Sequence, residues 1–432
     1  MHLPDKFEWK SAAPLKRNLE PIEILWKEIY IAAVLKYTGD LRIEILEHAF
    51  KLLQSRHKVL QGAIRYDETG YLVEASTENF AEFSHFYGDE VDVKLELRSR
   101  PNYQDALCRL ILAEYGGGGC LALQGSHAVF DSSFLFAMLS ELWELYADLN
   151  DGREIRYDVR KHLPLPPSSA LGAIWTHDEL DEIEKALRRH EKLSLGLTPP
   201  DLNSVVPDLI PYNSRIRLTP EKTSQLRDSV RKLGTSLHAI ICGVISVALR
   251  GQENPSEMIR VVCTTMVDAR SRLTPPLGAT DTANVNFPVK SAVAIDANAD
   301  LAKIGHETKA QLESGILKRL GTLGDAICTP TTEADLAADN PKSIEFLIGN
   351  AGIVRMFRHP DGVTLEDLRL MNDVIHPFVT DMAMPQFIAS TFNEQLAIEG
   401  LFPRRLYQEA KVDEISHSIS ANLEKFASLR NT

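Results

Sequence analysis

Four consecutive glycines, Gly116, Gly117, Gly118 and Gly119, stand between two apolar runs, residues 106–115 and 120–124. Only glycine takes positive φ freely at every turn position, so the run predicts a tight hairpin between two strands. A phosphate-binding loop is excluded, because no Lys-Ser/Thr pair and no helix follow at the required offset. The second strand, Cys120 to Gln124, is apolar at nearly every position and reads as interior. A long helix follows it over residues 133–149, after Asp131. A buried hairpin feeding a helix commits this part of the chain to a mixed α/β architecture.

The surrounding pattern agrees. Residues 29–37 read as a strand, with Asp40 as the expected N-cap of a helix. Leu41, Ile45, Ala49, Leu52 and Leu53 recur at helical spacing. Residues 59–66 read as the next strand, and Asp67-Glu68-Thr69-Gly70 as its turn. Leu163-Pro164-Leu165-Pro166-Pro167 is a linker signal. A charged helix is expected over 178–192, then a second linker through Pro199, Pro200, Pro207 and Pro211. From Arg215 the pattern restarts. Thr219 reads as an N-cap with Pro220 at the first helical position, and Gly234 as the C-cap of a helix over 221–233. Thr235 or Ser236 opens an apolar helix to about Arg250, and residues 260–266, 284–293, 343–349 and 386–401 hold strands. The simplest division is an N-terminal α/β half (1–165), a linker with a charged helix (166–212) and a C-terminal α/β half (213–432).

Composition narrows the function. The 432 residues carry 47 Lys+Arg against 60 Asp+Glu, a formal charge of −13. Nucleic-acid binding needs a net basic face, so that class is disfavoured. No apolar run approaches the ~20 residues of a membrane span. The amino terminus lacks a basic stretch followed by an apolar block, so no secretory signal is expected. Cys108, Cys120, Cys242, Cys263 and Cys328 are widely spaced and odd in number, which excludes a disulfide framework and a cysteine-rich zinc site. A cytoplasmic protein is expected, with no metal, since no HExxH motif or clustered ligand set occurs.

Three His-x-x-x-Asp pairs compete for attention: His85/Asp89, His127/Asp131 and His177/Asp181. The last pair falls on the charged helix and reads as a solvated face. His85 and Asp89 read as part of a surface turn. His127 differs, because it follows the interior strand and precedes the long helix. The strand-to-helix loop is where α/β proteins place chemistry. A core histidine bonded to a backbone carbonyl is the equal alternative on context alone.

Here the chain resembles a known family, the condensation-domain superfamily of CoA- and carrier-dependent acyltransferases, whose motif is HHxxxDG. In this chain it reads Ser126-His127-Ala128-Val129-Phe130-Asp131-Ser132. The second His and the Asp are kept, while Ser126 and Ser132 replace the first His and the Gly. Further segments resemble the family in order: Arg56-His57-Lys58-Val59-Leu60, Val267-Asp268-Ala269-Arg270 with Leu273-Thr274-Pro275-Pro276, and Thr282-Ala283-Asn284-Val285-Asn286. The stretch from Asp361 to Leu368 is similar to the C-terminal segment of polyketide-associated acyltransferases, typified by phthiocerol dimycocerosyl transferase.

The resemblance implies two chloramphenicol-acetyltransferase-like α/β subdomains with an active-site channel at their interface. It implies His127 as general base and an Asp131–Arg270 ion pair as structural support. Ser126, Ser132 and Asn284 are candidate substrate contacts. The expected reaction moves an acyl group from an acyl-carrier-protein or CoA thioester to a hydroxyl of a lipid or polyketide-like acceptor. The alternatives are an amide-forming stand-alone condensation enzyme and a non-catalytic relative that binds a carrier. No cofactor is expected, the thioester being a substrate. An acidic carrier would need a local basic patch, for which Lys185, Arg188, Arg189 and Lys192, or Lys318 and Arg319, are candidates.

Overall fold

The structure, a computed structural model, describes residues 15–20, 23–24, 26–76, 80–99, 101–155, 162–167, 211–254, 256–273, 275–321, 343–372 and 384–428. In chain order the first half runs β1 (Leu15–Asn18), β2 (Tyr30–Thr38), α1 (Ile43–Arg56), β3 (Gly62–Asp67), β4 (Gly70–Ala75), β5 (Glu82–Tyr87), α2 (Glu90–Glu96), β6 (Cys108–Tyr115), β7 (Gly118–Ser126) and α3 (Ser132–Asn150). The second half runs β8 (Tyr212–Arg217), α4 (Pro220–Lys232), α5 (Leu237–Arg250), β9 (Ile259–Asp268), β10 (Asn286–Ile295), α6 (Leu301–Gly321), β11 (Ser343–Val354), β12 (Thr364–Asn372), β13 (Gln386–Phe392), β14 (Gln395–Phe402) and α7 (Glu409–Ser428).

The glycine run makes the expected hairpin. β6 and β7 pair antiparallel, closing at Tyr115 opposite Gly118, with Gly117 at φ +81. They sit inside a five-stranded sheet of order β12-β2-β7-β6-β5. Strand alternation sends Leu35, Leu110, Leu112, Leu121 and Leu123 to one face, against Phe50 and Leu53 of α1 and Phe134, Met138 and Trp143 of α3. The intervening residues Ala32, Val34, Ile111, Ala113, Cys120 and Ala122 meet Val93 and Leu97, at α2, on the other. Both faces are covered, which is why β7 reads as a continuous apolar run.

The second half builds a six-stranded sheet, β10-β9-β11-β13-β14-β8, with β11 parallel to both neighbours. Its core joins Leu226, Ile240, Val244, Phe346, Phe387 and Ile398 to the apolar stripe Val412, Ile415, Ile419, Leu423 of α7. Thr219 caps α4 and Ser236 caps α5, as their positions predict. One strand crosses over. β12, though late in the chain, pairs antiparallel with β2 and completes the first sheet, placing Leu365, Leu368 and Leu370 in the first core.

Several local expectations differ. Asp40 does not cap α1, which starts at Ile43 after Arg42 with no side-chain cap. The Arg42 N–H is instead satisfied by the Tyr146 hydroxyl at 2.8 Å. The strand expected from residue 59 begins at Gly62, because Lys58–Gln61 forms a 3₁₀ turn. His85 is not on a turn but in β5, with Nε2 2.7 Å from Glu114 Oε2, and Asp89 caps α2 through a capping box. The strand expected over 386–401 is two, folded back at Asn393 and Glu394, both at positive φ. The charged helix at 178–192, with His177, Asp181, Lys185, Arg188, Arg189 and Lys192, lies outside the described residues, as do Cys328 and the Arg319 side chain. Lys318 is exposed on α6. Among the described residues no single helix is long and apolar enough to cross a membrane.

Candidate active site

β7 ends at Ser126, and the chain turns at once into α3. The Val129 and Phe130 N–H groups both donate to the Ser126 carbonyl, at 3.1 and 3.0 Å. The turn folds the Phe130 ring back over Gly125, where an added Cβ would meet ring carbon at 2.6 Å. Only glycine leaves room for that ring. Asp131 is the N-cap of α3, its Oδ1 accepting from Phe134 N at 3.0 Å.

The other Asp131 oxygen faces the second half. Arg270, just past the end of β9, donates through Nη1 to Asp131 Oδ2 at 2.6 Å and to Asp268 Oδ2 at 3.2 Å. Its Nη2 donates to the carbonyls of Ala283 at 2.9 Å and Thr282 at 3.3 Å. Asp131 is 1% and Arg270 4% exposed, so this is a buried pair; backbone carbonyls take the Nη2 protons, while Nε has no partner among the described residues. Burial raises the Asp131 carboxyl above its usual range while Arg270 pulls it down. Burial also works against the Arg270 charge, but Asp131 and Asp268 outweigh it and hold its proton more tightly than usual. Asn286 Nδ2 adds a longer contact to Asp131 Oδ2 at 3.4 Å. Ser133 Oγ donates to Asp268 at 2.7 Å and ties α3 to β9 a second time.

His127 lies in the loop so held. Its backbone N–H donates to the Ile29 carbonyl at 2.7 Å. Its Nδ1 is 2.8 Å from the Phe130 carbonyl oxygen. A carbonyl can only accept, so Nδ1 carries the proton and the neutral ring keeps its lone pair on Nε2. Among the described residues none hydrogen-bonds to Nε2. Burial holds the imidazole below its ordinary pKa, with the Phe130 bond and the Asp131 charge opposing. The indole of Trp26 stacks on the imidazole, ring centroids 4.9 Å apart and planes 15° from parallel.

Asn284 reaches the same ring from the second half. Its Oδ1 accepts from Asn286 N at 3.2 Å and Nδ2 at 2.8 Å, which orients the amide. Its Nδ2 donates to the His127 carbonyl at 3.5 Å and lies 3.3 Å from Nδ1. Both of those nitrogens bear protons, so the last approach is packing rather than a bond.

The structure thus gathers His127, Asp131, Arg270 and Asn284 into one place from two halves of the chain. Ser126 does not line it, for its hydroxyl is buried and donates to the Lys27 carbonyl at 3.0 Å. Ser132 is the half-buried first residue of α3. Sequence reasoning missed Trp26, Ser133, Asp268 and Asn286. Asp268 and Asn286 lie two residues from Arg270 and Asn284, inside segments already singled out. Trp26 carried no spacing signal. Among the described residues no group of three or more His, Cys, Asp or Glu forms a metal-binding cluster.

Residues 207–401 match the family model described as phthiocerol/phthiodiolone dimycocerosyl transferase C-terminus. None of the curated proteins matches the sequence. Among solved structures, polyketide synthase associated protein 5 from Mycobacterium tuberculosis superposes with a TM-score of 0.71 at 18% identity, over 95% of this chain and 98% of that one. The first condensation domain of the CDA synthetase superposes at 0.66 with 15% identity, over 98% of each chain. Trichothecene 15-O-acetyltransferase from Fusarium sporotrichioides gives 0.67 at 13% identity, again over 98% of each. The chain therefore shares the fold of these condensation-domain and acyltransferase structures, and its C-terminal part, residues 207–401, is similar to the dimycocerosyl transferase family.

Proposed function

We propose that this protein transfers an acyl group from a thioester, carried by CoA or by a phosphopantetheinyl carrier protein, to an alcohol of a lipid or polyketide-like acceptor. The observation that carries the reading is the bond from His127 Nδ1 to the Phe130 carbonyl, which leaves the lone pair of the neutral ring on Nε2. A histidine whose pKa is held below the ordinary value stays neutral, and so competent to accept a proton, at neutral pH. In the proposed step Nε2 takes the acceptor hydroxyl proton as the oxygen attacks the thioester carbonyl. A tetrahedral oxyanion forms, the C–S bond breaks, and the thiolate recovers the proton from Nε2. No acyl-enzyme is needed, so no nucleophilic serine or cysteine is required. The four cysteines among the described residues are free and buried, which suits the reducing, cytoplasmic setting we propose.

The test is release of free thiol from an acyl-CoA and from an acyl-carrier protein, with a panel of alcohols and amines. His127→Ala should lower the rate about 10²–10⁴-fold, the usual worth of a positioned base. Equal rates for both proteins would remove His127 from the mechanism. Mass analysis of the product separates ester from amide. A wild-type protein inert with every donor and acceptor would favour the carrier-binding alternative.

A further inference from the structure

Trp26 and Ser126 form one device. Trp26 lies on a short turn ahead of β2, closed by Ile29 N–H donating to the Trp26 carbonyl at 3.0 Å. That turn is stitched to the His127 loop twice: by Ser126 Oγ to the Lys27 carbonyl at 3.0 Å and by His127 N to the Ile29 carbonyl at 2.7 Å. It is anchored behind as well. Glu23 is fully buried and pairs with Arg17 at 2.6 and 2.8 Å, while accepting from Glu20 N at 2.9 Å. Arg17 in turn donates to the Pro164 carbonyl at 2.8 Å. The Lys27 ammonium lies 4.9 Å from the centre of the Tyr71 ring. A turn held at both ends has little freedom to lift its indole from the imidazole.

We infer, resting on the acyl-transfer reading above, that Trp26 is a positioning residue for His127 and that Ser126 holds Trp26 in place. The indole covers one face of the imidazole, keeps water from it and fixes the ring plane, so that a reactant meets the Nε2 edge. The serine that replaces the first histidine of the family motif thereby has work of its own. Its site is fully buried and its hydroxyl is already committed to the Lys27 carbonyl. The charged group that bears on the ring is Asp131, itself compensated by Arg270. Removing the indole therefore changes solvation and geometry around His127 more than it changes local charge.

The test begins without substrate. In histidine-labelled protein, the His127 resonance, assigned by its loss in His127→Gln, is titrated in wild type, Trp26→Phe, Trp26→Ala and Ser126→Ala. Trp26→Ala should raise the His127 pKa toward its ordinary value by readmitting water. Trp26→Phe, which keeps an aromatic face, should retain the wild-type titration. Ser126→Ala should fall between them. In turnover, the acidic limb of kcat/KM should move to higher pH in Trp26→Ala, with kcat down about tenfold and KM within about twofold, the pattern of a lost transition-state alignment. A His127 titration unchanged or lowered in Trp26→Ala overturns the inference, as does a Trp26→Phe that behaves like Trp26→Ala. If the titration shifts as expected while wild type turns nothing over, the stacking role stands and the acyl-transfer reading fails.

Discussion

Asp131 caps a helix with one oxygen and meets a buried guanidinium with the other, so its loss removes two supports at once. Asp131→Ala leaves α3 uncapped and leaves the Arg270 guanidinium, 4% exposed, with only the longer pairing to Asp268 among the described residues. We expect a loss of about 3–5 kcal/mol of unfolding free energy, the usual cost of breaking a buried pair by removing one partner. Urea unfolding checks this. A stable but inactive Asp131→Ala would instead give Asp131 a chemical role. At this scale the sequence was legible where residues sit in one motif and illegible where they meet across the chain. His127 and Asp131 share a loop, and Arg270 comes from a segment resembling the same family. Trp26 meets His127 only because β2 runs beside β7, and no local pattern announces a ring stacked across neighbouring strands. The core-histidine reading of His127 also fits this geometry. The histidine does bond a backbone carbonyl, and that bond is what orients its free nitrogen.

Elements were legible where hydrophobic period and caps agree. The hairpin at Gly116 and Gly117, the proline-started α4, the serine-capped α5 and the apolar α3 all lie within a few residues of where their sequence places them. α6 and α7 were not anticipated, although Val412, Ile415, Ile419 and Leu423 of α7 recur at helical spacing. Nor was the partner of β12, since a strand's own residues say that it pairs and not with which sheet. The junction that admits β12 yields a prediction. Gly39 follows β2 at φ +99, and a Cβ there would stand 2.0 Å from the Gly362 carbonyl oxygen. Gly39→Ala therefore combines a left-handed backbone with a clash against main chain that holds the start of β12. We expect a destabilisation of about 2–4 kcal/mol, read as a lowered melting temperature. Gly70→Ala at φ +108, with open space around it, is the control that carries backbone strain alone and should cost less.

Across the whole molecule the two halves are joined by β12 and by a chain of ion pairs along it. Arg215 of β8 pairs with Asp367 of β12, and its Nε lies 2.7 Å from Glu399 of β14. Glu399 also accepts from Arg369 of β12 at 2.8 and 3.2 Å, and Arg369 reaches Glu90 at the start of α2. First sheet, second sheet and α2 thus share one network whose central members are 12–19% exposed. Because the site itself takes His127 and Asp131 from one half and Arg270 and Asn284 from the other, this clamp bears on its geometry. Arg369→Met leaves Glu399 with Arg215 alone and Glu90 with Lys94. A double-mutant cycle of Arg369→Met with Glu399→Gln should give a coupling of about 1–3 kcal/mol, as expected for partly buried groups in one network. The pH dependence has a fixed sign. Burial alone would raise the Glu90 carboxyl, but Lys94 and Arg369 more than offset it and hold its pKa below the ordinary value near 4.5. A carboxylate depressed in the folded state adds stability above its unfolded pKa and loses it as pH falls through the folded value. Wild-type stability should therefore drop as pH falls below about 4.5, and Arg369→Met should show a shallower drop because part of that depression is gone. Equal acid slopes, or a coupling within error of zero, would mean that β12 is held by its hydrogen bonds and leucines alone.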